Sequence, residues 1–238
     1  MAKRGKVAKV QPRDVIERPA RFRRYKYLML IICEDQNTEC AYFDQFRGLF
    51  NSLLPNDTVF VKAVGTGRNS LGVVLRAIEE RDKLVKESGK KVDDVWAVFD
   101  KDDLDKMPKT RKNFEQAFVK ADEENIKIAY SNECFELWLL LHFINVSPTE
   151  AIPRSNLYEK LEKAVAKHNP QFVYHHGDAA VLGEVAKHGN EKQAIERAKA
   201  LDHFHEQNQH TPIDSNPRTL VFSLVEQLRE WYDFYSYE

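Results

Sequence analysis

No stretch of this 238-residue chain approaches the roughly 18 to 20 consecutive apolar residues needed to span a bilayer. The N-terminal MAKRGKVAKV also lacks the apolar centre of a secretory signal, so a cytoplasmic protein with no membrane partner is expected. Cysteine is scarce. Cys33, Cys40 and Cys134 are odd in number and lack the CxxC spacing of a zinc site, which predicts reduced, packed thiols and excludes cysteine chemistry as the main activity. There is no Walker A sequence, no GxSxG nucleophile elbow and no protein kinase signature set. No internal repeat is present, and no low-complexity segment beyond the N-terminus.

The length and the 42% hydrophobic content suffice for one substantial core, so one main domain with extensions is expected. The net charge of −1 conceals an asymmetry. Residues 1–26 carry ten Lys or Arg against Asp14 and Glu17, a local balance of +8 that leaves the remainder at −9. This basic arm is either a solvated tail or an attachment to phosphate backbones, for which Arg21, Arg23 and Arg24 are the candidate contacts.

After the arm, strand and helix signals alternate four times. Tyr27–Cys33 is a continuous apolar run of strand length, and Thr38 can cap a helix whose apolar residues recur through Leu53. Val59–Val64 reads as a second strand. Asn69 or Ser70 caps a long helix that Gly89 closes. The stretch Asp94–Asp103 reads as a third strand that ends in carboxylates from Asp100 on, residues 111–124 as a helix, Ile126–Tyr130 as a fourth strand, and residues 133–143 as an apolar helix that Ser131 or Asn132 can cap. The alternation predicts an α/β fold, a mainly parallel sheet flanked by helices. From Pro148 the pattern becomes mainly helical, and Asn216-Pro217 reads as the start of the last helix. The expected division is a basic arm (1–26), an α/β domain (27–147) and a helical C-terminal extension (148–238) packing on it.

In open parallel sheets, ligands bind beyond the carboxyl ends of the strands. Those ends here are Glu34, residues 65–69, residues 100–103 and Ser131-Asn132, and two of the four are acidic. Asp100, Asp102 and Asp103 would repel one another if packed together without a cation, and Mg²⁺ takes one or two carboxylates together with water and substrate phosphate. Acidic loops of this kind also occur as solvated turns or helix caps. Glu34 ends the first strand and could serve as a general base or acid, or as a further metal ligand; Glu39 favours a helix N-terminus. Glu136 lies among Phe135, Leu137, Trp138 and Leu139, where an ionised carboxylate needs a metal or a partner such as Arg76. Gly65-Thr66-Gly67-Arg68-Asn69-Ser70 reads as a tight turn into a capped helix, with phosphate contact through Arg68 as the alternative. His142 reads as a core histidine. His175, His176 and the histidines of 203–210 read as exposed helix residues.

The order of Glu34…Thr38-Glu39, Phe99-Asp100-x-Asp102, the string Ser131-Asn132-x-Cys134-Phe135-Glu136-Leu137-Trp138-Leu139-Leu140-Leu141-His142-Phe143 and the late Asn216-Pro217-x-Thr219 resembles the RloB family. That family is similar to Toprim-fold proteins, including abortive-infection proteins encoded beside an AAA-type ATPase in bacterial anti-phage loci. The resemblance implies a Mg²⁺- or Mn²⁺-dependent nuclease acting on DNA or RNA, tRNA included, and controlled by an ATPase partner. It implies Glu34 as general acid or base, Asp100 and Asp102 as metal ligands, and Glu136 as support for a second metal, with Glu39, Ser131 and Asn132 as supporting residues. One departure is Asp35, where the family commonly has glycine. Two other classes fit parts of the pattern: a non-catalytic module that binds nucleic acid or the ATPase, and a Mg²⁺-dependent phosphatase using Asp100 as nucleophile and Asp102 as acid.

Overall fold

The computed structural model describes residues 25–53, 59–102 and 108–236. Arg21, Arg23 and Arg24 of the arm, and Asp103, lie outside the described residues. The elements follow in the order β1 (Tyr27–Cys33), α1 (Thr38–Leu53), β2 (Val59–Gly65), α2 (Ser70–Ser88), β3 (Asp94–Asp100), α3 (Pro108–Glu123), β4 (Lys127–Asn132), α4 (Glu136–Leu141), α5 (Arg154–Ala166), α6 (Ala180–His188), α7 (Glu191–Gln207), β5 (Arg218–Thr219) and α8 (Val221–Ser236). The sheet order is β2-β1-β3-β4-β5. The first four strands are parallel and β5 pairs antiparallel to β4. The expected α/β fold, with a mainly parallel sheet and a helical C-terminal part, is the observed one.

The unbroken apolar strands are explained by cover on both faces. Successive side chains of a strand point to opposite sides, so β1 feeds two cores at once. Leu28, Leu30 and Ile32 join Ala97 and Phe99 of β3 under Val73 and Val74 of α2 and Phe114 and Ala117 of α3. Met29, Ile31 and Cys33 join Trp96 and Val98 under Phe43 of α1, Leu137 of α4, and Leu224 and Val225 of α8. Leu157 and Leu161 of α5 and Leu201 of α7 belong to this second core, so residues beyond 148 complete it. Each such leucine or isoleucine, at 2% exposure or less, contributes about 1.5–3 kcal/mol by leaving water. All three cysteines are free; Cys33 and Cys134 are buried. Among the described residues no helix is long and apolar enough to cross a membrane.

Local capping follows the sequence at α2. The Asn69 side chain accepts from Gly72 N, and Gly89 takes the left-handed conformation at φ 67° with its N–H on Val85 O. At three other places the side chain expected to cap does not, once because a nearby residue takes the role and twice because tertiary contacts override the local signal. The capping oxygen at α1 comes from Asp35, which accepts from Thr38 N at 2.5 Å, while the Thr38 hydroxyl is buried without a hydrogen-bond partner. Ser131 and Asn132 cap no helix, because β4 extends through them to pair with β5. Ser131 Oγ bonds Thr219 Oγ1 at 2.9 Å, and Asn132 Nδ2 donates to the carbonyls of Pro212 and Ile213 at 3.0 and 3.1 Å. Asn216 does not start the last helix either. Its side chain accepts from Ile152 N at 2.9 Å and donates to Glu133 Oε1 at 3.0 Å, and β5 intervenes before α8.

Candidate functional site: an acidic crevice at the strand ends

The strand order places a crevice between β1 and β3. The chain leaves β1 into α1, which packs on the face of the larger core, whereas it leaves β3 toward α3 on the opposite face. Loops that diverge from neighbouring parallel strands open a ligand-binding cleft at the strands' carboxyl ends. Backbone pairing holds its floor. Glu34 N donates to Val98 O at 2.9 Å, Gly67 N to Glu34 O at 2.8 Å, and Lys101 N to Ser131 O at 2.8 Å. Gly65 is required for this closure, since a Cβ there would lie 2.5 Å from Gln36 Cα.

Glu34 and Asp100 meet in this crevice, where Glu34 Oε2 accepts from Asp100 N at 3.2 Å. Glu39, 2% exposed on the first turn of α1, bends back to accept from Asp35 N at 3.0 Å. Glu136, 4% exposed at the start of α4, completes the group. Mutual repulsion shows that the four carboxyls act on one another. Burial, reinforced by the charges of Glu39, Glu136 and Glu34, drives Asp100 well above the usual carboxylate range, with Arg154 only partly opposing it. Burial and the Glu34 charge do the same to Glu39. Burial pushes Glu34 up to about 7, against the Asp100 N–H and Arg154, which pull it down. Burial also pushes Glu136 upward, but hydrogen bonds from His176, Tyr174 and Cys134 outweigh it and leave this carboxyl below its ordinary value. Glu136 therefore carries charge while its neighbours favour the protonated form.

Three residues that sequence patterns did not reveal close the crevice from beyond residue 148. Arg154, at the start of α5, pairs with Asp102 and reaches Asp100 Oδ2 at 3.5 Å. The Tyr174 hydroxyl donates to Glu136 Oε1. His176 Nδ1 lies 3.3 Å from the same oxygen, and its ring is on a loop, not on an exposed helix. Arg76, the partner considered for Glu136, pairs instead with Glu79 and Glu80 on its own helix. Nothing local in the sequence ties residues 154, 174 and 176 to positions 100 and 136. Of the remaining histidines, His142 is a core residue with Nδ1 on Trp138 O at 3.0 Å. His205 is 1% exposed, contrary to expectation, because its ring bonds His210 Nδ1 and Pro217 O.

The candidate residues thus divide. Glu34, Glu39, Asp100 and Glu136 converge. Asp102, at φ 56°, stands at the rim with its side chain 41% exposed and bound to Arg154. Arg68 lies on the same sheet edge, on the turn into α2, with Glu79 at 3.9 Å. Ser131 and Asn132 support the end of β4 through β5 and the 212–213 carbonyls. Lys101, between the two aspartates, directs its ammonium to Glu133 Oε1 at 3.2 Å.

The donors present suit a hard divalent cation. Asp100 Oδ1 is buried and has no hydrogen-bond partner, the condition expected of a carboxylate oxygen that a cation satisfies. No three His, Cys, Asp or Glu residues among those described are gathered to hold a metal as they stand.

Fold and site together define a class: α/β proteins with a parallel sheet that assemble a carboxylate crevice at the switch point between two central strands. Within that class, the family model of the RloB-like protein matches residues 29–228, and the chain belongs to the RloB-like family. Searches of curated proteins and of solved structures find no match.

Proposed function

We propose that the protein is a divalent-metal-dependent hydrolase of phosphodiesters, a nuclease of Toprim type, with its centre at Asp100. The observation that carries this reading is the unpartnered Asp100 Oδ1, buried among Glu34, Glu39 and Glu136 at the carboxyl ends of β1 and β3. Asp100 and Asp102 would hold Mg²⁺ or Mn²⁺, with Glu136 behind them supporting a second ion. The ion, when bound, supplies charge against the developing phosphoryl oxygens and lowers the pKa of water. Glu34, pushed up to about 7 and placed against the Asp100 backbone, takes or returns the proton of the attacking water or the leaving oxygen. Arg154 draws Asp102 toward α5 and shields Asp100 when no other cation is present. Membership of the RloB-like family supports a role as effector in anti-phage abortive infection under control of an AAA-type ATPase.

The test is incubation of the purified protein with Mg²⁺ or Mn²⁺ and, separately, DNA, tRNA and a phosphomonoester. Metal-dependent cutting of a nucleic acid, lost in Asp100→Asn, is the expected result. Turnover of the phosphomonoester alone points to a phosphatase. Nucleic-acid or ATPase binding without any cleavage points to a recognition module, a reading that the engagement of both aspartates by Arg154 would then explain.

A further inference from the structure

An aromatic ladder rises from the acidic crevice to the surface. Tyr174, hydrogen-bonded to Glu136 at its base, lies with its ring centroid 5.3 Å from that of Tyr158 on α5. Tyr158 in turn carries the imidazole of His176, at 5.3 Å between centroids and 22° between planes. Two contacts hold that imidazole in place at one atom: His176 Nδ1 lies 3.0 Å from the Tyr158 hydroxyl and 3.3 Å from Glu136 Oε1. The following residue rests against the Glu34 loop, since a Cβ on Gly177 would lie 3.7 Å from Asn37 Nδ2. Arg154 stands one helical turn before Tyr158 on α5, on the same side of the helix, with its guanidinium at Asp100 and Asp102.

Despite these restraints, the His176 side chain is 62% exposed. The ring is nearly parallel to that of Tyr158 and offset from it, with Nδ1 as its inward-facing atom. Tyr174 and His176 share that oxygen of Glu136, so the imidazole is anchored through Nδ1 alone. A largely exposed flat ring, flanked by a second ring and held at one nitrogen, is a surface on which an unpaired base stacks. A guanidinium one turn away suits the adjoining backbone phosphate.

We infer that Arg154, Tyr158 and His176 form a landing site for single-stranded nucleic acid at the mouth of the crevice, an unpaired base stacking on His176 and a phosphate meeting Arg154. The inference rests on the phosphodiester reading above and narrows its substrate to strands with exposed bases. A duplex keeps its base faces stacked on one another and offers none to the ring. A phosphate that engages Arg154 also competes for the guanidinium now shared by Asp100 and Asp102, so strand entry frees the two aspartates.

The test measures binding of fluorescent single-stranded and duplex oligonucleotides, DNA and RNA, to the full chain in EDTA, and cleavage of the same strands with Mg²⁺. A phosphate contact from the basic arm would be the same in wild type and in the ring variants, so comparing those proteins on each strand form isolates the ring. His176→Ala should weaken single-strand binding by about 5- to 100-fold, and His176→Phe should restore most of it. Both variants should leave duplex binding unchanged, and both lose the Nδ1 contact to Glu136 alike, so any cost in stability is common to the two. Arg154→Met should lower affinity and reduce the slope of log K against log salt by about one. Equal loss in His176→Ala and His176→Phe would show that a polar contact, not stacking, holds the strand, and would overturn the proposal. So would unchanged single-strand binding in His176→Ala, whether or not wild type cleaves. Single-strand binding that depends on His176 without cleavage by wild type would uphold the landing site and reject the nuclease. If wild type binds no nucleic acid, both fall.

Discussion

Replacing Glu34 by Gln separates a functional carboxylate from a structural one, because the two roles predict opposite changes in stability. The folded protein raises this carboxyl from 4.5 to about 7. Between those values the native state binds more proton than the unfolded chain, so stability falls as pH rises through that window and is level above it. At about 1.4 kcal/mol for each tenfold change in proton affinity, the loss by pH 8.5 is no more than about 3–4 kcal/mol. Glutamine keeps an oxygen to accept from Asp100 N, now at 3.2 Å, and removes the charge. The variant should therefore melt later than wild type at pH 8.5, by at most about 7–14 °C for a chain of this size, and match it near pH 4. Glu39 and Asp100, both held above their ordinary values, add falls of the same sign that persist in the variant. Cleavage should meanwhile drop by about 100-fold or more, the trade expected of a strained active site. Thermal unfolding followed by circular dichroism from pH 4 to 8.5 in EDTA is the assay. Indistinguishable pH profiles for the two proteins, or a Glu34→Gln protein that is less stable at pH 8.5, would refute the acidic-crevice argument.

Three other outcomes follow from the same contacts. Asp100→Asn should abolish metal-dependent cleavage, by ~100-fold or more, while raising apoprotein stability; Asp102→Ala should also lose cleavage but with little gain in stability, since its side chain is 41% exposed. Cleavage by Asp102→Ala at the wild-type rate would remove it from the ligand set. Tyr174→Phe deletes a hydrogen bond to a buried, charged Glu136 and should cost about 1.5–3 kcal/mol at pH 7 in urea denaturation, with the cost shrinking as pH falls and Glu136 protonates. Leu224→Ala, at a fully buried position of α8, should cost about 2–5 kcal/mol, and a single unfolding transition should show that the helical part and the sheet share one core.

Strand positions were legible because their signal is local. The run Tyr27–Cys33 is apolar throughout, and so is β3 between Asp94 and Asp100, since both faces of each are covered; β1 and the start of β3 fall at the expected residues. Caps made by neighbours, as at Asn69 and Gly89, were legible for the same reason. Ser131 and Asn132 show the limit. Their side chains have ordinary capping chemistry, but β5, from 88 residues further on, recruits them into the sheet. The resemblance to RloB proteins rested on a contiguous string, SNECFELWLLLHF, and the family model confirms it over residues 29–228.

The sequence by itself determined that carboxylates end the apolar strands, because strand length and burial are written in local hydrophobic pattern and each acidic residue follows directly from it. It also determined the α/β class, through alternation of two periods. The tertiary structure alone decided which carboxylates meet and which groups answer them. Glu34 and Asp100 adjoin because β1 and β3 are neighbours in the strand order, and Glu39 joins them because it bends back over the loop. Asp102 turns to Arg154, and Glu136 to Tyr174 and His176, because α5 and the loop after it fold over the strand ends. Charge partnership at such separations depends on distance in space, which no periodicity along the chain encodes.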